Sequence, residues 1–585
     1  MILRARKKSS ARSRNNSLMA FSLLGGTGAT VASTRWLRPL LFWLTTALLL
    51  LLVGLPVLAI VAYALFPHIN EWSFAQPFSA IIPSLSDLDL LSAIGNSLVL
   101  SFSVTLLSVV IALPLAIQRQ HLAESNGRLW DALMLVPFLI PPYIGAMSWM
   151  QLLQRRGFIE QLFGFNLNDL LYSFPGLVIV MSLHLFPMIY VAASQSLRII
   201  GQRYGDVARV FGGQPWPIFF RIQLPLVSVS LLASGLMVFV LTFEEFGTPE
   251  ILGSRFGFEV IVTSIHKKFT DWPIDLPGAS VLSLILIGIA FAAFKTHGWL
   301  TKRFTTDIDT PLLTATKIEV PRYRSIIANG WFCLVAIPAV ILPVVTIAIS
   351  ASQKTLTGGL AWSNLGLQHF IAITAVNSEP WQALTTSLLL AFGAALGSVG
   401  IALLVAFTLV RMQPKGLALL DFLSLLPNAL PGMAVAVGLI LTWNQSFWPM
   451  TPYNSSAILL LAYMTLTLPY PIRTLTAALK QLPLSLDEAG YVFGASELRV
   501  LLRVLWPLIA PVALASGFIV FAISSRELVS SLMLAPPGVN TVATYVFHQF
   551  DQGSVNAGMA MSLVTILVSG SIIRLGQSLT RSNML

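Results

Sequence analysis

The stretch DVARVFGGQPWPIFFRIQLP, from Asp206 to Pro225, begins with polar and charged residues and lies between two long apolar segments. A second stretch, EAGYVFGASELRVLLRVLWP from Glu488 to Pro507, places an acid, a glycine and a proline at the same internal spacing. Corresponding positions of the two stretches differ by 282 residues (488 − 206). A polar stretch that occurs twice in an apolar chain predicts two copies of one membrane module.

The composition indicates a membrane protein. Of the 585 residues, 56% are hydrophobic and 10% are charged, whereas a soluble protein carries about 25% charged residues. Apolar runs of about 20 residues recur along the chain, as in polytopic helical membrane proteins. The short alternating segments that are typical of an outer-membrane barrel do not occur. We therefore expect an all-α polytopic membrane protein.

Hydropathy predicts twelve transmembrane spans, six in each half, which we number span 1 to span 12 in chain order. The spans of the first half are expected at 40–66, 94–117, 130–152, 174–195, 223–245 and 277–295. Those of the second half are expected at 326–350, 384–410, 420–443, 457–478, 506–527 and 556–574. Span 1 follows a long basic tail and is too long for the apolar core of a signal peptide.

The repeat extends beyond the two polar stretches. Upstream of them the offset is 290 (421 − 131), which relates Asp131, Pro137 and Pro141 to Asp421, Pro427 and Pro431. Because each half has six spans, both halves start on the same side of the membrane, and an axis along the membrane normal relates them as parallel repeats. The predicted organisation is a basic cytoplasmic tail (1–39), a first six-span module (40–295), a cytoplasmic linker (296–324) and a second six-span module (325–585).

The basic residues set the expected orientation. With the N-terminus inside the cell, 28 of the 35 Lys and Arg residues fall on the inside and the remaining 7 on the outside. This bias places both termini and both polar stretches in the cytoplasm. The net charge of +11 therefore reflects topology and not a nucleic-acid surface. The single cysteine, Cys333, excludes an intramolecular disulfide and is expected to be a small buried side chain.

Both polar stretches resemble the EAA loop of the permease subunits of bacterial ABC importers, E-A-A-x3-G-x9-I-x-L-P. The copies depart from that pattern because Asp206 replaces the Glu, Gly490 replaces the second Ala, and Trp506 replaces the Leu. The resemblance covers essentially the whole chain and implies the type I importer permease fold. An ordinary loop that happens to cap a helix is the alternative, but two matches at equivalent places favour the importer.

In that family the loop forms a short cytoplasmic helix that docks in a groove of the ATPase. An acid in the first turn complements the partial positive charge of a helix N-terminus. The glycine permits a sharp turn, and the proline is expected to begin the next span. The residues that the resemblance assigns to coupling are Asp206, Ala208, Gly212, Pro225, Glu488, Ala489, Gly494 and Pro507.

The resemblance also implies partners. The chain has no G-x-x-x-x-G-K-S/T phosphate loop and no cluster of His, Glu or Asp with catalytic or metal-binding spacing. We therefore expect no enzymatic site, metal or cofactor on this chain, with ATP and Mg bound by a partner. The family pattern implies two copies of a cytoplasmic ATPase, one for each coupling loop, and a periplasmic substrate-binding protein, around a permease in the bacterial inner membrane.

Charged residues end spans 5 and 11, and such residues are costly inside a membrane and commonly functional there. Glu244 and Glu245 correspond by the offset of 282 to Arg526 and Glu527. The fifth span of each half lines the pathway in the family, so we expect these four residues to form its periplasmic gate, with an Arg526–Glu245 ion pair. The alternative is that they only anchor helix ends at the membrane surface.

Two histidines, His266 and His548, are also related by the offset of 282 and lie in predicted outer loops. They are candidates for contact with substrate or binding protein, although an ordinary polar loop residue is the alternative. His184, in the middle of span 4, is expected to hydrogen-bond within the bundle. The prolines of VPFLIPPYIG and LPNALPG are expected to kink spans 3 and 9 beside the pathway.

The substrate is indicated by resemblance alone. The segments RELVSSLMLAPPG and EEFGTPEILG resemble those of fused ferric-iron importer permeases, which implies ferric iron. Permeases for 2-aminoethylphosphonate, thiamine and polyamines have similar segments and stay open as alternatives. A twelve-span secondary transporter would also have parallel repeats, but it would not need the repeated cytoplasmic loop. A membrane-embedded enzyme would need an acid/base or metal constellation, which the sequence does not show.

Overall fold

The computed structural model describes residues 28–198, 208, 210–304, 321–413 and 416–582. Within these residues the secondary structure is helical, without a β-strand, and a single bridge pairs Gln353 with Leu365. Nine helices in this part of the chain are long and apolar enough to cross a membrane, and three bent helix pairs raise the number to twelve. The fold is thus that of an all-α polytopic membrane protein. The predicted tail and linker lie largely outside the described residues.

The helices coincide with the predicted spans. Spans 1 to 6 are Pro39–Leu65, Leu88–Arg119, Glu124–Leu139 with Pro142–Phe163, Phe174–Ser196, Trp216–Phe243 and Leu276–Thr301. Spans 7 to 12 are Arg322–Ser352, Glu379–Met412, Leu417–Ala429 with Gly432–Trp443, Ser456–Thr467 with Pro469–Gln481, Glu497–Ser524 and Val555–Ile572. Most helices extend past the predicted limits, because hydropathy marks the apolar part of a helix while its backbone hydrogen bonds continue into polar residues.

The predicted kinks of spans 3 and 9 are confirmed as complete breaks. The two parts of span 3 meet at 92°, and those of span 9 meet at 117°. In span 3 the break lies before Pro142, and in span 9 it lies at Pro431, which precedes helix Gly432–Trp443. Proline lacks the N–H that would continue the helix and clashes with the preceding turn. Both breaks leave backbone carbonyls without helical partners in the middle of the bundle.

The proline of the polar stretch does not begin the next span, contrary to the prediction. Pro225 and Pro507 lie inside the continuous helices Trp216–Phe243 and Glu497–Ser524. A π-helical turn precedes each of them, at Phe219–Gln223 and at Leu501–Leu505. The wider turn displaces the carbonyl that would clash with the proline ring, so each helix continues through its proline.

The first span of each half packs against the other half. Span 1 lies against span 9, and span 7 lies against span 3. Across the first contact, Gln445 Nε2 donates to Tyr63 Oη at 2.7 Å. Across the second, Trp130 Nε1 donates to Asn329 Oδ1 at 2.7 Å. The two sequence repeats are therefore interleaved in space, and the buried core around spans 8 to 11 includes residues of span 1.

The segments after spans 5 and 11, which were predicted as loops, contain helices. These helices, Ile261–Thr270 and Val542–Asp551, carry His266 and His548.

Cys333 is exposed, contrary to the prediction that it is buried. It lies in span 7 on a helix whose outward face includes the exposed Trp331 and Leu334, and an apolar run gives no indication of which face a residue occupies.

Candidate translocation site and coupling segments

The two equivalent acids, Glu245 and Glu527, make the same local contact. Glu245 Oε1 accepts hydrogen bonds from the backbone N–H of Gly247 at 3.1 Å and of Thr248 at 3.4 Å. Glu527 Oε1 accepts from the N–H of Ser530, the counterpart of Thr248, at 3.2 Å. Each carboxylate thereby satisfies a free N–H at the start of the short helix that follows its span. One function of both acids is to cap these helices.

Arg526 crosses to the other half of the chain. Its Nη1 donates to the carbonyl oxygen of Leu139 at 2.5 Å and lies 3.5 Å from that of Phe138. These carbonyls end the short helix Val136–Leu139 before the break in span 3. A cation is favourable at a helix C-terminus, where free carbonyls carry partial negative charge.

The expected Arg526–Glu245 ion pair is wrong. Within the described residues no ion pair joins these two side chains. The broken span supplies carbonyl acceptors to the guanidinium, while Glu245 binds the N–H groups of its own turn. Both side chains therefore have partners that a comparison of equivalent sequence positions did not reveal.

All four candidate gate residues line one cavity. Its volume is about 380 Å³, and its wall includes Glu244, Glu245, Arg526 and Glu527 together with residues of spans 3, 4, 6, 9 and 10. The cavity thus lies between the two halves, as expected for a pathway. His184 also lines it, whereas His266 and His548 do not.

Two side chains of the cavity wall carry oxygen atoms that lack hydrogen bonds to the described protein groups around them. The Tyr143 side chain is 2% exposed, and its Oη has no hydrogen-bond partner in the described part of the chain. The carboxylate of Glu244, unlike those of Glu245 and Glu527, makes no hydrogen bond to the described backbone. Among the described residues, no three His, Cys, Asp or Glu side chains are grouped to hold a metal ion. The Glu244 carboxylate therefore lines the cavity without a backbone partner, and the Tyr143 hydroxyl is buried within the cavity wall.

His266 packs away from the cavity. Its ring lies 5.0 Å from the ring of Phe246, the residue after Glu245. Phe246 also approaches Phe547 of the other half, with 6.4 Å between ring centroids. His266 thus belongs to an aromatic contact between the halves behind the cavity wall.

The two coupling segments share one turn. In the second segment, helix Ser485–Val492 ends before Gly494, and Ala495 N–H donates to Gly490 O at 3.0 Å. In the first segment, Gly213 N–H donates to Ala208 O at 2.9 Å, which is the same bond 282 residues earlier. Asp206 lies outside the described residues. The repeat in sequence is therefore a repeat in backbone geometry.

Glycine is required at the centre of this turn. Gly212 has a φ of 80° and Gly494 a φ of 76°. Residues other than glycine adopt this left-handed backbone conformation only at a cost in free energy. The predicted role of both glycines in a sharp turn is consistent with these angles, whereas their role in coupling stays a prediction.

An apolar pair precedes each of these glycines and is exposed. Phe211 is 85% exposed and Phe493 is 90% exposed, and the valines before them are exposed to a similar degree. Exposed apolar groups clustered in one place commonly mark a contact with a partner. Val-Phe-Gly is identical in the two polar stretches, and this identity is a signal for these residues that lies outside the EAA pattern.

Comparison with known proteins supports the repeat. The model of the family described as "Binding-protein-dependent transport system inner membrane component" matches residues 108–306 and again residues 398–582. The two matches begin 290 residues apart (398 − 108), which is the offset found upstream of the polar stretches. Each match contains one coupling segment and one pair of charged residues at the end of its fifth span.

Individual relatives cover most of the chain. A ferric transport system permease protein, FbpB, of Actinobacillus pleuropneumoniae is 26% identical over 495 residues, which is 82% of this chain and 70% of that protein. The Fe(3+)-transport system permease protein FbpB 2 of Haemophilus influenzae is 22% identical over 90% of this chain and 96% of that protein. A putative 2-aminoethylphosphonate transport system permease protein, PhnV, of Salmonella typhimurium is 25% identical over 39% of this chain.

Proposed function

Because this chain belongs to the family of inner-membrane components of binding-protein-dependent transport systems, we propose that it forms both halves of the pathway of a ferric-iron importer. It is the multi-pass permease of an ABC importer. The observation that supports iron as the cargo is the similarity to ferric permeases, which extends over 82% to 90% of the chain. The match to the aminophosphonate permease covers 39% of this chain and 84% of that shorter protein.

The cavity wall agrees with a hard cation as cargo. Oxygen ligands from carboxylates and phenols suit hard metal ions better than sulfur ligands do. Glu244 lines the cavity with a carboxylate that makes no hydrogen bond to the described backbone, and the buried Tyr143 hydroxyl in the wall has no hydrogen-bond partner among the described residues. Ligands that are spread along a wall suit a pathway, because a transported ion must leave each site as readily as it enters.

The proposal includes the partners and the orientation. Two cytoplasmic ATPase subunits bind the two coupling segments and hold the ATP and Mg, and a periplasmic protein delivers the iron. The distribution of Lys and Arg supports cytoplasmic termini. The chain itself contributes no catalytic site and no cofactor, in agreement with its lack of a phosphate-binding loop.

Reconstitution tests the substrate directly. The chain would be placed in proteoliposomes together with an ABC ATPase and a periplasmic binding protein from the same organism. We expect ATP-dependent uptake of radioactive ferric iron and no comparable uptake of 2-aminoethylphosphonate, thiamine or a polyamine. Uptake of one of the other three instead would replace iron as the cargo. Uptake driven by a proton or sodium gradient without the ATPase would indicate a secondary transporter.

A further inference from the structure

A buried ion pair fastens the second coupling segment to the membrane helices. Arg411, in the last turn of span 8, places Nε 3.2 Å from Asp487 Oδ2 in helix Ser485–Val492. The two side chains are only 6% and 7% exposed. Arg411 Nη2 also donates to the carbonyl oxygen of Leu482 at 3.1 Å. One guanidinium thus holds both the coupling helix and the segment that leads into it.

The attraction in this pair is mainly electrostatic. Nε and Oδ2 are close but lack the alignment of a hydrogen bond. Burial raises the pKa of Asp487, whereas the nearby charge of Arg411 lowers it. Removal of one charge would leave the other buried without its partner, which is strongly unfavourable. A buried pair is also screened by water and salt much less than a surface pair.

The first half cannot form this pair. The offset of 290 relates Arg411 to His121, and the offset of 282 relates Asp487 to Gly205, which has no side chain. In the first half, Arg119 at the end of span 2 pairs with Asp131 of span 3 at 2.9 Å, and a different link joins spans 3 and 4, from Arg198 to Glu124 at 3.7 Å. Those two side chains are 65% and 58% exposed, and exposed pairs of this kind contribute little to rigidity.

We propose that Arg411 and Asp487 are positioning residues that hold the second coupling helix rigidly on span 8, through a pair that the first half cannot form because Gly205 stands at the position of Asp487. This inference rests on the proposed function for the identity of the partner. Closure of the ATPase is transmitted to the second half of the chain through this rigidly held coupling helix. The sequence of the first half has Gly205 and His121 at the corresponding positions, so this particular pair belongs to the second half. A fused chain permits this difference, because each half carries its own sequence.

Hydrogen–deuterium exchange of the intact complex and of the purified chain tests the rigidity. In Asp487→Asn, amide exchange in Ser485–Val492 should rise by about tenfold or more, because the buried guanidinium loses its counter-charge. Exchange in helix Val529–Leu534 should not change, which separates local release from general unfolding. Arg198→Gln removes the exposed pair with Glu124 and leaves the pairs of Glu124 with Arg119 and Arg128 in place, so it is the matched control and should have a much smaller effect on exchange around it.

The same variants test coupling. The ratio of substrate transported to ATP hydrolysed should fall by about fivefold or more in Asp487→Asn, a typical size for coupling between linked sites. The charge swap Arg411→Asp with Asp487→Arg should restore both exchange protection and coupling in part. Unchanged exchange, unchanged coupling despite faster exchange, or an equal loss in Arg198→Gln would each overturn the proposal. If the wild-type complex fails to transport iron, the cargo assignment fails, while the exchange measurement on the chain still decides the role of the pair.

Discussion

Nη1 of Arg526 donates to the carbonyl oxygen of Leu139 at 2.5 Å, and this contact joins the end of span 11 to the break in span 3 of the opposite half. At the equivalent place in the first half stands Glu244, which cannot donate such a bond when it is ionised. The cavity wall is therefore asymmetric at these equivalent positions, although the chain around it repeats.

Arg526→Gln should reduce transport by about tenfold or more, because a charged hydrogen bond to buried carbonyls contributes about 1.5–3 kcal/mol. Arg526→Lys should retain part of the activity, since it keeps the charge but not the planar donor group. The measurement is the initial rate of ATP-dependent uptake. Because no ion pair links Arg526 to Glu245, the losses from Arg526→Gln and Glu245→Gln should be nearly additive. A large coupling energy between them would show that they pair during the transport cycle.

Glu527→Ala should destabilise the protein by about 0.5–2 kcal/mol, because the N–H of Ser530 loses its cap. Glu245→Ala should have a similar effect, through Gly247 and Thr248. Thermal unfolding of the purified chain in detergent measures both changes. Glu244→Ala is the control, since that carboxylate caps no described backbone group. Equal destabilisation by all three substitutions would contradict the capping role.

Gly212→Ala and Gly494→Ala should each impose about 1–2 kcal/mol of backbone strain, because the left-handed conformation is unfavourable for any residue with a Cβ. We expect weaker stimulation of ATP hydrolysis by substrate, and a stronger loss when both are changed. Gly288→Ala is the matched control, since a Cβ there would meet no heavy atom within 4 Å. Normal stimulation in the double variant would show that the shape of this turn does not matter for coupling.

Phe211→Ser and Phe493→Ser should weaken binding of the ATPase by about tenfold each, as expected for an aromatic anchor of an interface. The measurement is the dissociation constant between the detergent-solubilised chain and the isolated ATPase. Trp272→Ser removes an aromatic side chain that is 89% exposed in the segment between spans 5 and 6. On the proposed orientation it faces the periplasm, so ATPase affinity should not change. If Trp272→Ser weakens binding as much as the phenylalanine variants do, that orientation is wrong.

Gly438→Ala should destabilise the protein by about 1–3 kcal/mol, the usual effect of overpacking. A Cβ at this position would lie 2.7 Å from the carbonyl oxygen of Pro56, where span 1 of one half crosses span 9 of the other. The expected result is a lower unfolding temperature with unchanged helix content. An unfolding temperature equal to that of the Gly288→Ala control would mean that the two spans separate at little cost.

The number and approximate position of the spans, the parallel repeat and the family all followed from the sequence. Long apolar runs have few alternatives to membrane helices, because the bilayer core cannot satisfy exposed backbone groups. The turn at Gly212 and Gly494 was equally predictable, since its glycine occurs twice at one spacing, whereas the predicted start of the next span at each proline was wrong. The breaks in spans 3 and 9 followed from their prolines, whose local effect depends little on the rest of the fold.

The partners of the charged residues were decided by the tertiary structure alone. Equivalence by offset placed Arg526 beside the acids of the gate, but the break in span 3 offers it the carbonyl of Leu139 instead. The sequence likewise did not predict that spans 1 and 7 pack against the opposite halves. Nor did it predict that Arg411 is buried against Asp487. Periodicity and spacing report local geometry along one helix, whereas these contacts join residues that are tens to hundreds of positions apart and depend on how the helices pack.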